Sequence, residues 1–226
     1  MTEYFKIHSL WKREGWYFDQ EKKKSPDYRQ GRQSFIVGDY ACPEFGNVKT
    51  WNVTEKIDGT NIRVMYRQGV VTFGGRTNGA ILPTHLLKYL HETFTPESMN
   101  LAFPTAPAPA VDYDIILYGE GYGPKIQAGG ENYTQNVGFI LFDVLIGKFW
   151  FERSSVKEVA AKLNIPVVPD LGRMTEDQIV DLVKSKPLSQ CSWKPQVMEG
   201  VVCRADPEVY FKHGSVVTFK LKCKEF

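Results

Sequence analysis

Short runs of alternating apolar and polar side chains set the frame of this chain. Val48 to Lys56 alternates, Ile62 to Tyr66 does so again, and Val70 to Phe73 follows a Gln68-Gly69 turn. A period of two with a two-residue turn predicts three short antiparallel strands that open the core. Ile115 to Tyr118, Val137 to Ile146 and Phe149 to Phe151 predict further strands, with Gly147-Lys148 as a hairpin turn, and Val201 to Cys203 and Val216 to Leu221 complete the set. Pro83 to Phe94, Ser155 to Leu163 and Thr175 to Lys184 carry helical patterns, and Thr175 with Gln178 makes a capping box. Strands in runs with a few helices between them predict an α+β fold, mostly antiparallel.

Composition narrows this picture without redirecting it. The chain has 226 residues, 42% hydrophobic and 24% charged, which excludes a disordered or fibrous protein. No repeat of solenoid length is present, and the Phe103 to Ala110 stretch of Pro and Ala is expected to be a surface loop inside one domain spanning residues 1–226. With 28 Lys+Arg against 26 Asp+Glu the net charge is only +2, so any polyanion site must be local. No apolar run is long enough to span a bilayer and no signal-peptide core follows Met1, so a soluble, cytoplasmic protein with no membrane partner is expected. Cys42, Cys191, Cys203 and Cys223 form no C-x-x-C pair and are expected to be reduced thiols. His8, His85, His91 and His213 show no metal spacing.

The charged residues worth following sit at strand ends. Lys56 closes an apolar strand before Asp58-Gly59-Thr60-Asn61. Such a lysine is a solvated charge unless desolvation or neighbouring cations free its amine for nucleophilic attack. Gly74-Gly75-Arg76-Thr77-Asn78 leaves an arginine after a strand, and Tyr118-Gly119-Glu120-Gly121 puts one carboxylate among glycines at another strand end. Leu141-Phe142-Asp143-Val144 lies in an aromatic-rich strand, Glu199 precedes the run Gly200-Val201-Val202, and Lys220 and Lys222 point to one face by their period of two. Each cluster alone reads as a strand with a solvated charge. Their order and combination are far more specific.

In that order the sequence resembles the covalent nucleotidyltransferase superfamily of ATP-dependent ligases and mRNA capping enzymes. Lys56-Ile57-Asp58-Gly59 reads as its first motif, Tyr118-Gly119-Glu120 as the third and Leu141-Phe142-Asp143-Val144 as the aromatic motif that follows. Glu199-Gly200-Val201-Val202 reads as the fourth and Lys220-Leu221-Lys222 as the fifth, so the resemblance runs from Val48 to Lys222. Asn61, in place of the arginine usual in DNA ligases and capping enzymes, is similar to the nick-sealing RNA ligases of phages and of trypanosome RNA editing. Arg76 falls twenty residues after Lys56 and Lys220 twenty-one after Glu199, which fits the same branch.

The resemblance implies a nucleotidyltransferase (ATP-grasp-like) fold, with two mostly antiparallel sheets flanked by helices and the nucleotide in a cleft between them. It implies ligation of RNA 3′-hydroxyl and 5′-phosphate ends, on nicked duplex, through a lysyl-AMP intermediate. ATP and Mg²⁺ are the cofactors it implies, with Mn²⁺ able to substitute. Lys56 would be the nucleophile, with Lys220 and Lys222 neutralising charge on the α-phosphate. Asp58, Glu120 and Glu199 would hold the metal, through water. Phe142 would stack on adenine, Glu55 or its backbone would read the adenine amine, Ile57 would adjoin the nucleotide, and Asn61, Arg76 and Glu120 would address ribose or the incoming phosphate.

Two further stretches invite a phosphate role. Gly123-Pro124-Lys125-Ile126-Gln127-Ala128-Gly129-Gly130 is either a plain connection or a phosphate-contacting loop. Lys22-Lys23-Lys24 with Arg29 and Arg32, interleaved with Tyr17, Phe18 and Tyr28, is either a solvated run or a nucleic-acid surface. Only four residues follow Lys222, so neither an oligonucleotide-binding domain nor a helical C-terminal domain is expected within the chain, which leaves a minimal ligase, an isolated catalytic domain or a half completed by a partner protein. A minimal DNA ligase, a guanylyltransferase and a non-catalytic nucleotide- or RNA-binding relative are the alternatives.

Overall fold

The computed structural model describes residues 3–13, 35–104 and 114–226. In chain order its strands and helices are β1 (His8–Ser9), β2 (Trp11–Arg13), β3 (Phe35–Tyr40), β4 (Trp51–Lys56), β5 (Thr60–Arg67), β6 (Val70–Gly75), α1 (Thr84–Thr93), α2 (Pro96–Ala102), β7 (Ile115–Tyr122), β8 (Gly138–Ile146), β9 (Phe149–Trp150), α3 (Arg153–Leu163), β10 (Asp170–Met174), α4 (Glu176–Lys184), β11 (Gly200–Ala205) and β12 (Thr218–Lys222). They form two units, one holding the described residues of 1–4, 57–169 and 189–196 and the other those of 5–56, 170–188 and 197–226. The expected α+β class holds. The Lys22 to Arg32 stretch, and residues 105–110 of the Pro and Ala segment, lie outside the described residues.

In the first unit five antiparallel strands run in the order β6-β5-β7-β8-β9. Alternation along β5 and β7 sends Ile62, Val64, Tyr66, Ile115 and Leu117 to one face, where they pack with Leu86 and Leu90 of α1, Met99 of α2 and Val156 and Val159 of α3. Burying each such side chain contributes about 1.5–3 kcal/mol relative to leaving it in water. Asn61, Arg63, Met65, Tyr118 and Glu120 belong to the opposite face by the same alternation.

The second unit's sheet has the order β1-β12-β11-β4-β10, antiparallel apart from the β1 and β12 pair, with a β2-β3 ribbon beside it. Trp51 and Val53 of β4, Val201 and Cys203 of β11 and Phe219 and Leu221 of β12 are buried with Ile179 and Val183 of α4, Phe45 and Leu10. Trp51 and Phe219 meet edge to face at 4.6 Å between ring centroids. Here too the other face carries polar residues: Thr54 and Lys56, and Lys220 and Lys222.

The structure departs from the sequence pattern in places. The strands at 62–66 and 70–73 pair across the Gln68-Gly69 turn as expected, whereas the strand at 48–56 lies in the other sheet, where β4 pairs with β10 and β11. The Asp58-Gly59 turn therefore does not close a hairpin. Gly59 instead lies against the end of β7, where an added Cβ would stand 2.3 Å from Gly121 O. Phe103 is no loop surface residue but a buried member of the first unit's core at the end of α2. Finally, α2 and β10 are elements that the hydrophobic pattern does not predict. The first is opened by a capping box in which Ser98, rather than Glu or Gln, answers Thr95. The second is a short exposed strand interrupted at Gly172, whose φ is +100°.

The Thr175 and Gln178 capping box opens α4 as expected, with Thr175 N–H donating to Gln178 Oε1 at 2.9 Å. Thr175→Ala should cost about 1 kcal/mol of stability, read as a lower urea midpoint at unchanged slope. An unchanged midpoint would mean that the box contributes nothing to folding.

Candidate functional site

The second unit assembles a charged cluster at the ends of three strands. The register pairs Lys56 with Gly200 and Gly200 with Lys222, so Lys56 and Lys222 flank a glycine in one cross-strand row. Glu199 precedes β11 by one residue, and its carboxylate accepts from Lys56 Nζ at 2.7 Å through Oε2 and from Lys222 Nζ at 2.7 Å through Oε1. These three side chains are 21%, 24% and 7% exposed for Lys56, Lys222 and Glu199, so the ion pairs are largely shielded from water. Gly200 permits this arrangement, since a Cβ there would stand 2.0 Å from Leu221 O and 2.7 Å from Lys222 Cα. Lys220 lies two residues back on the same face, opposite Val202 and Ser9. Glu55 is 1% exposed, and alternation turns its side chain to the buried face of β4, away from Lys56.

The bottom of this cluster is tied to the chain's last described residues. Glu225 accepts from the Lys222 main-chain N–H at 2.9 Å and pairs with the Arg13 guanidinium. Cys223 between them is buried, which raises its thiol pKa, with Lys186 opposing and the Glu199 and Glu55 charges adding to the rise.

The first unit carries the remaining motif residues on the sheet face that the helices leave open. Asn61 of β5 pairs directly with Glu120 of β7. Arg76 follows Gly75, the last residue of β6, and is exposed. Asn61 Oδ1 is buried without a hydrogen-bond partner, an acceptor left for a donor such as a sugar hydroxyl. The Asp58-Gly59 turn packs on Glu120, since a Cβ at Gly59 would stand 2.8 Å from Glu120 Cγ. Phe142 is the extra residue of a bulge: Tyr118 faces Asp143 and Gly119 faces Leu141, so Phe142 has no partner across the ladder and its ring lies edge-on to Tyr4 at 5.1 Å.

Several residues that the motifs do not include hold these groups in place. Tyr133 Oη accepts from the Asp58 N–H at 3.3 Å, and Gln127 donates through Nε2 to Gly59 O at 3.1 Å. The Gly123 to Gly130 loop is a set of tight turns that reaches the Asp58-Gly59 turn through Gln127, and Lys125 is exposed on it. Ile57 is buried with Tyr133, Ile140 and Val168, leaving its main chain as the part able to meet a ligand. Tyr4 donates to Asp143, whose carboxylate is buried. Burial is the main cause that raises Tyr122 to about 12, so it stays protonated. Sequence alone offers no signal for Tyr4 or Tyr133, which lie far along the chain from the groups they touch.

Among the described residues no group of three or more His, Cys, Asp or Glu side chains is gathered to hold a metal directly. Asp58 and Glu120 belong to one unit, and Glu199 to the other, where both of its oxygens are occupied by lysines. Carboxylate oxygens of this kind suit a hard cation held through its own waters. The histidines have structural surroundings: His213 accepts or donates at 2.7 Å with Ser215 and stacks on Phe211, and His91 meets the Phe73 ring edge-on. Burial lowers the His8 pKa, with the Lys6, Lys220 and His213 charges adding to it.

Gly200→Ala should destabilise the protein by about 1–3 kcal/mol, the usual cost of forcing a methyl into a filled space. Lys56 and Lys222 should lose their common carboxylate at the same time. Urea unfolding measures the first effect, and a stability equal to wild type would show that β11 and β12 do not run this close.

The family model for RNA ligase matches residues 49–222. No curated protein sequence matches the chain. Among solved structures, a Naegleria gruberi RNA ligase with PPi is similar at a TM-score of 0.56 and 19% identity, covering 77% of this chain and 49% of that one. A mutant of that ligase with ATP and Mn is similar at a TM-score of 0.58 and 19% identity, covering 80% of this chain and 52% of that one. A further mutant, with AMP and Mn, gives 0.56 and 19%, covering 79% and 51%. The chain therefore shares the fold and spans about half the length of these relatives. With the match to the family model extending over most of its length, the chain belongs to the RNA ligase family of the nucleotidyltransferase superfamily.

Proposed function

We propose that this protein is an ATP-dependent RNA ligase that joins 3′-hydroxyl and 5′-phosphate ends through a lysyl-AMP intermediate on Lys56. The observation that carries the reading is the shielded Lys56, Glu199 and Lys222 cluster, with one carboxylate holding two ammonium groups at 2.7 Å each. A surface lysine with no such function has no need of a buried partner, and shared ion pairs of this kind cost desolvation.

In the first step Lys56 Nζ, having shed a proton, attacks the α-phosphorus of ATP; a P–N bond forms and the bond to the departing pyrophosphate breaks. Glu199 holds the amine in place until then, and Lys222 and Lys220 offer positive charge on the same face for the α-phosphate oxygens. In the second step a 5′-phosphate oxygen attacks the same phosphorus, restoring Lys56 and leaving an AMP-capped strand. In the third step a 3′-hydroxyl attacks the 5′-phosphorus, forming the phosphodiester and releasing AMP. Asn61 Oδ1 and Glu120 are acceptors for ribose hydroxyls, Phe142 offers an aromatic face to adenine, and the main chain at Glu55 and Ile57 reads the base edge. Arg76 meets the ribose or the incoming phosphate.

Mg²⁺ is the metal in this reading, held through water by Asp58, Glu120 and Glu199, with Mn²⁺ able to take its place. Bound there, it would supply positive charge to the phosphate oxygens and favour the free amine. A 5′-phosphate and 3′-hydroxyl aligned on a complementary strand are the preferred ends, because alignment removes most of the entropic cost of the last step.

With ATP and Mg²⁺ the protein should acquire one AMP, visible by intact mass, and Lys56→Ala should carry none while unfolding like wild type. Lys56→Arg should fail as well, because a guanidinium stays protonated. Glu199→Gln and Glu120→Ala should slow adduct formation by roughly 10²–10³-fold, the usual effect of removing one preorganised electrostatic group. Sealing of matched nicked RNA and DNA duplexes identifies the substrate. An adduct that survives in Lys56→Ala, or forms only with GTP, overturns the reading.

A further inference from the structure

Arg63 is a charge in an unusual place. It sits in the middle of β5, on the face shared by Asn61 and Glu120, and is 1% exposed. A leucine would fill a sheet position without the desolvation cost that a guanidinium incurs, so the charge needs a reason. Its donors supply one. Arg63 Nε donates to Gly75 O at 2.8 Å and Nη2 donates to Asn78 Oδ1 at 2.9 Å.

These two acceptors bracket Arg76. Gly75 ends β6 immediately before it and Asn78 lies two residues after it. The same loop is held from outside as well, since the Asn78 N–H donates to Glu3 Oε1 at 3.0 Å and the Ala80 N–H to Thr77 O at 3.2 Å. Gly74 completes the fit, because a Cβ there would stand 3.1 Å from Arg63 Nη2. A guanidinium suits such a grip because its donors leave in fixed directions from one plane, so two bonds set the orientation of the segment they hold. Tyr118, opposite Arg63 in the register, feels both Arg63 and Asp143, and burial keeps it protonated.

We infer that Arg63, holding the main chain at Gly75 O on one side of Arg76 and the Asn78 side chain on the other, is a positioning residue that aims the Arg76 side chain at its phosphate or ribose partner. This rests on the role given to Arg76 in the proposed reaction. Misplacing a ligand-binding arginine by about 1 Å is enough to cost up to 10²-fold in rate.

The test uses Asn78→Ala, Arg63→Lys, Arg76→Ala and the Asn78→Ala/Arg76→Ala double variant. Three steps are timed separately, namely self-adenylylation with ATP, AMP transfer to a 5′-phosphorylated nick, and sealing of a pre-adenylylated nick. Hydrogen exchange is followed at the amides of residues 74–78. Asn78→Ala should raise exchange in that segment alone, leave the unfolding midpoint near wild type, and slow the same step that Arg76→Ala slows, by about 10-fold or more. Arg63→Lys should do the same where it folds. In the double variant, the loss should match Arg76→Ala alone to within about two-fold, because a group that acts only through Arg76 has nothing left to act on. Multiplying losses, equal slowing of all three steps, or unchanged exchange at 74–78 would each overturn the inference. A wild-type protein that forms no lysine adduct would defeat the ligase reading instead, and the inference with it.

Discussion

One carboxylate governs the second unit's chemistry. Glu199 holds Lys56 on one oxygen and Lys222 on the other, although these lysines belong to strands that are not neighbours, with β11 between them. Strands two places apart in a sheet are separated by roughly 10 Å, so both side chains must lean inward to share an acceptor. They lean across Gly200, the residue that occupies the row between them. A Cβ there would collide with the β12 main chain at Leu221 and Lys222, so only glycine lets β11 run this close to it. The pairing of glutamate with glycine is thus one device: the first residue supplies the charge and the second lets the strand that carries Lys222 approach. Two ammonium groups brought this close without an anion would repel, so the lysines depend on Glu199 for their placement as much as it depends on them.

The same division of labour runs through both sheets. A period of two gives each strand an apolar face and a face free for other work. In the second unit Trp51, Val53, Val201, Phe219 and Leu221 carry the packing while Lys56, Lys220 and Lys222 stand opposite. In the first, Ile62, Val64 and Leu117 pack under the helices while Asn61 and Glu120 stand opposite. Glu55 shows the cost of departing from this rule, as a carboxylate on the apolar side of β4 that is almost wholly buried. Its side chain serves the interior.

Much of this is legible in the sequence wherever the signal is local. Lys56 at the end of β4 and Glu199 just before β11 stand where alternation stops, and the common face of Lys220 and Lys222 follows from their spacing, whereas Glu120 lies inside β7, which runs on through its glycines to Tyr122. The helix start at Thr175 is legible because capping chemistry is written within four residues. Features that depend on distant pairing are not. Nothing near Lys56 tells that β4 and β5 part into different sheets, since that is decided by β10, β11 and β7. The bulge that sets Phe142 apart comes from a register shift against Tyr118 and Gly119, which no count within β8 contains. Arg63 carries no signal of its own in the sequence, and only Gly75 and Asn78, further along the chain, supply the acceptors that hold it as a buried donor. Thr95 and Ser98 form a capping box that a search for Glu or Gln passes over.

Asn61 shows how the two demands on such a sheet are reconciled. Its Oδ1 is buried with no protein donor among the described residues, and an acceptor that neither protein nor water satisfies costs roughly 1–3 kcal/mol. A residue chosen only for stability would not be kept there. The deficit is borne because the helix-covered face of the same sheet is apolar and closely packed, with Ile62, Val64, Leu86, Leu90 and Leu117 fully buried, and because adjacent positions on a strand point to opposite faces. The sheet can therefore hold an unsatisfied acceptor at Asn61 and a core side chain at Ile62 without either disturbing the other.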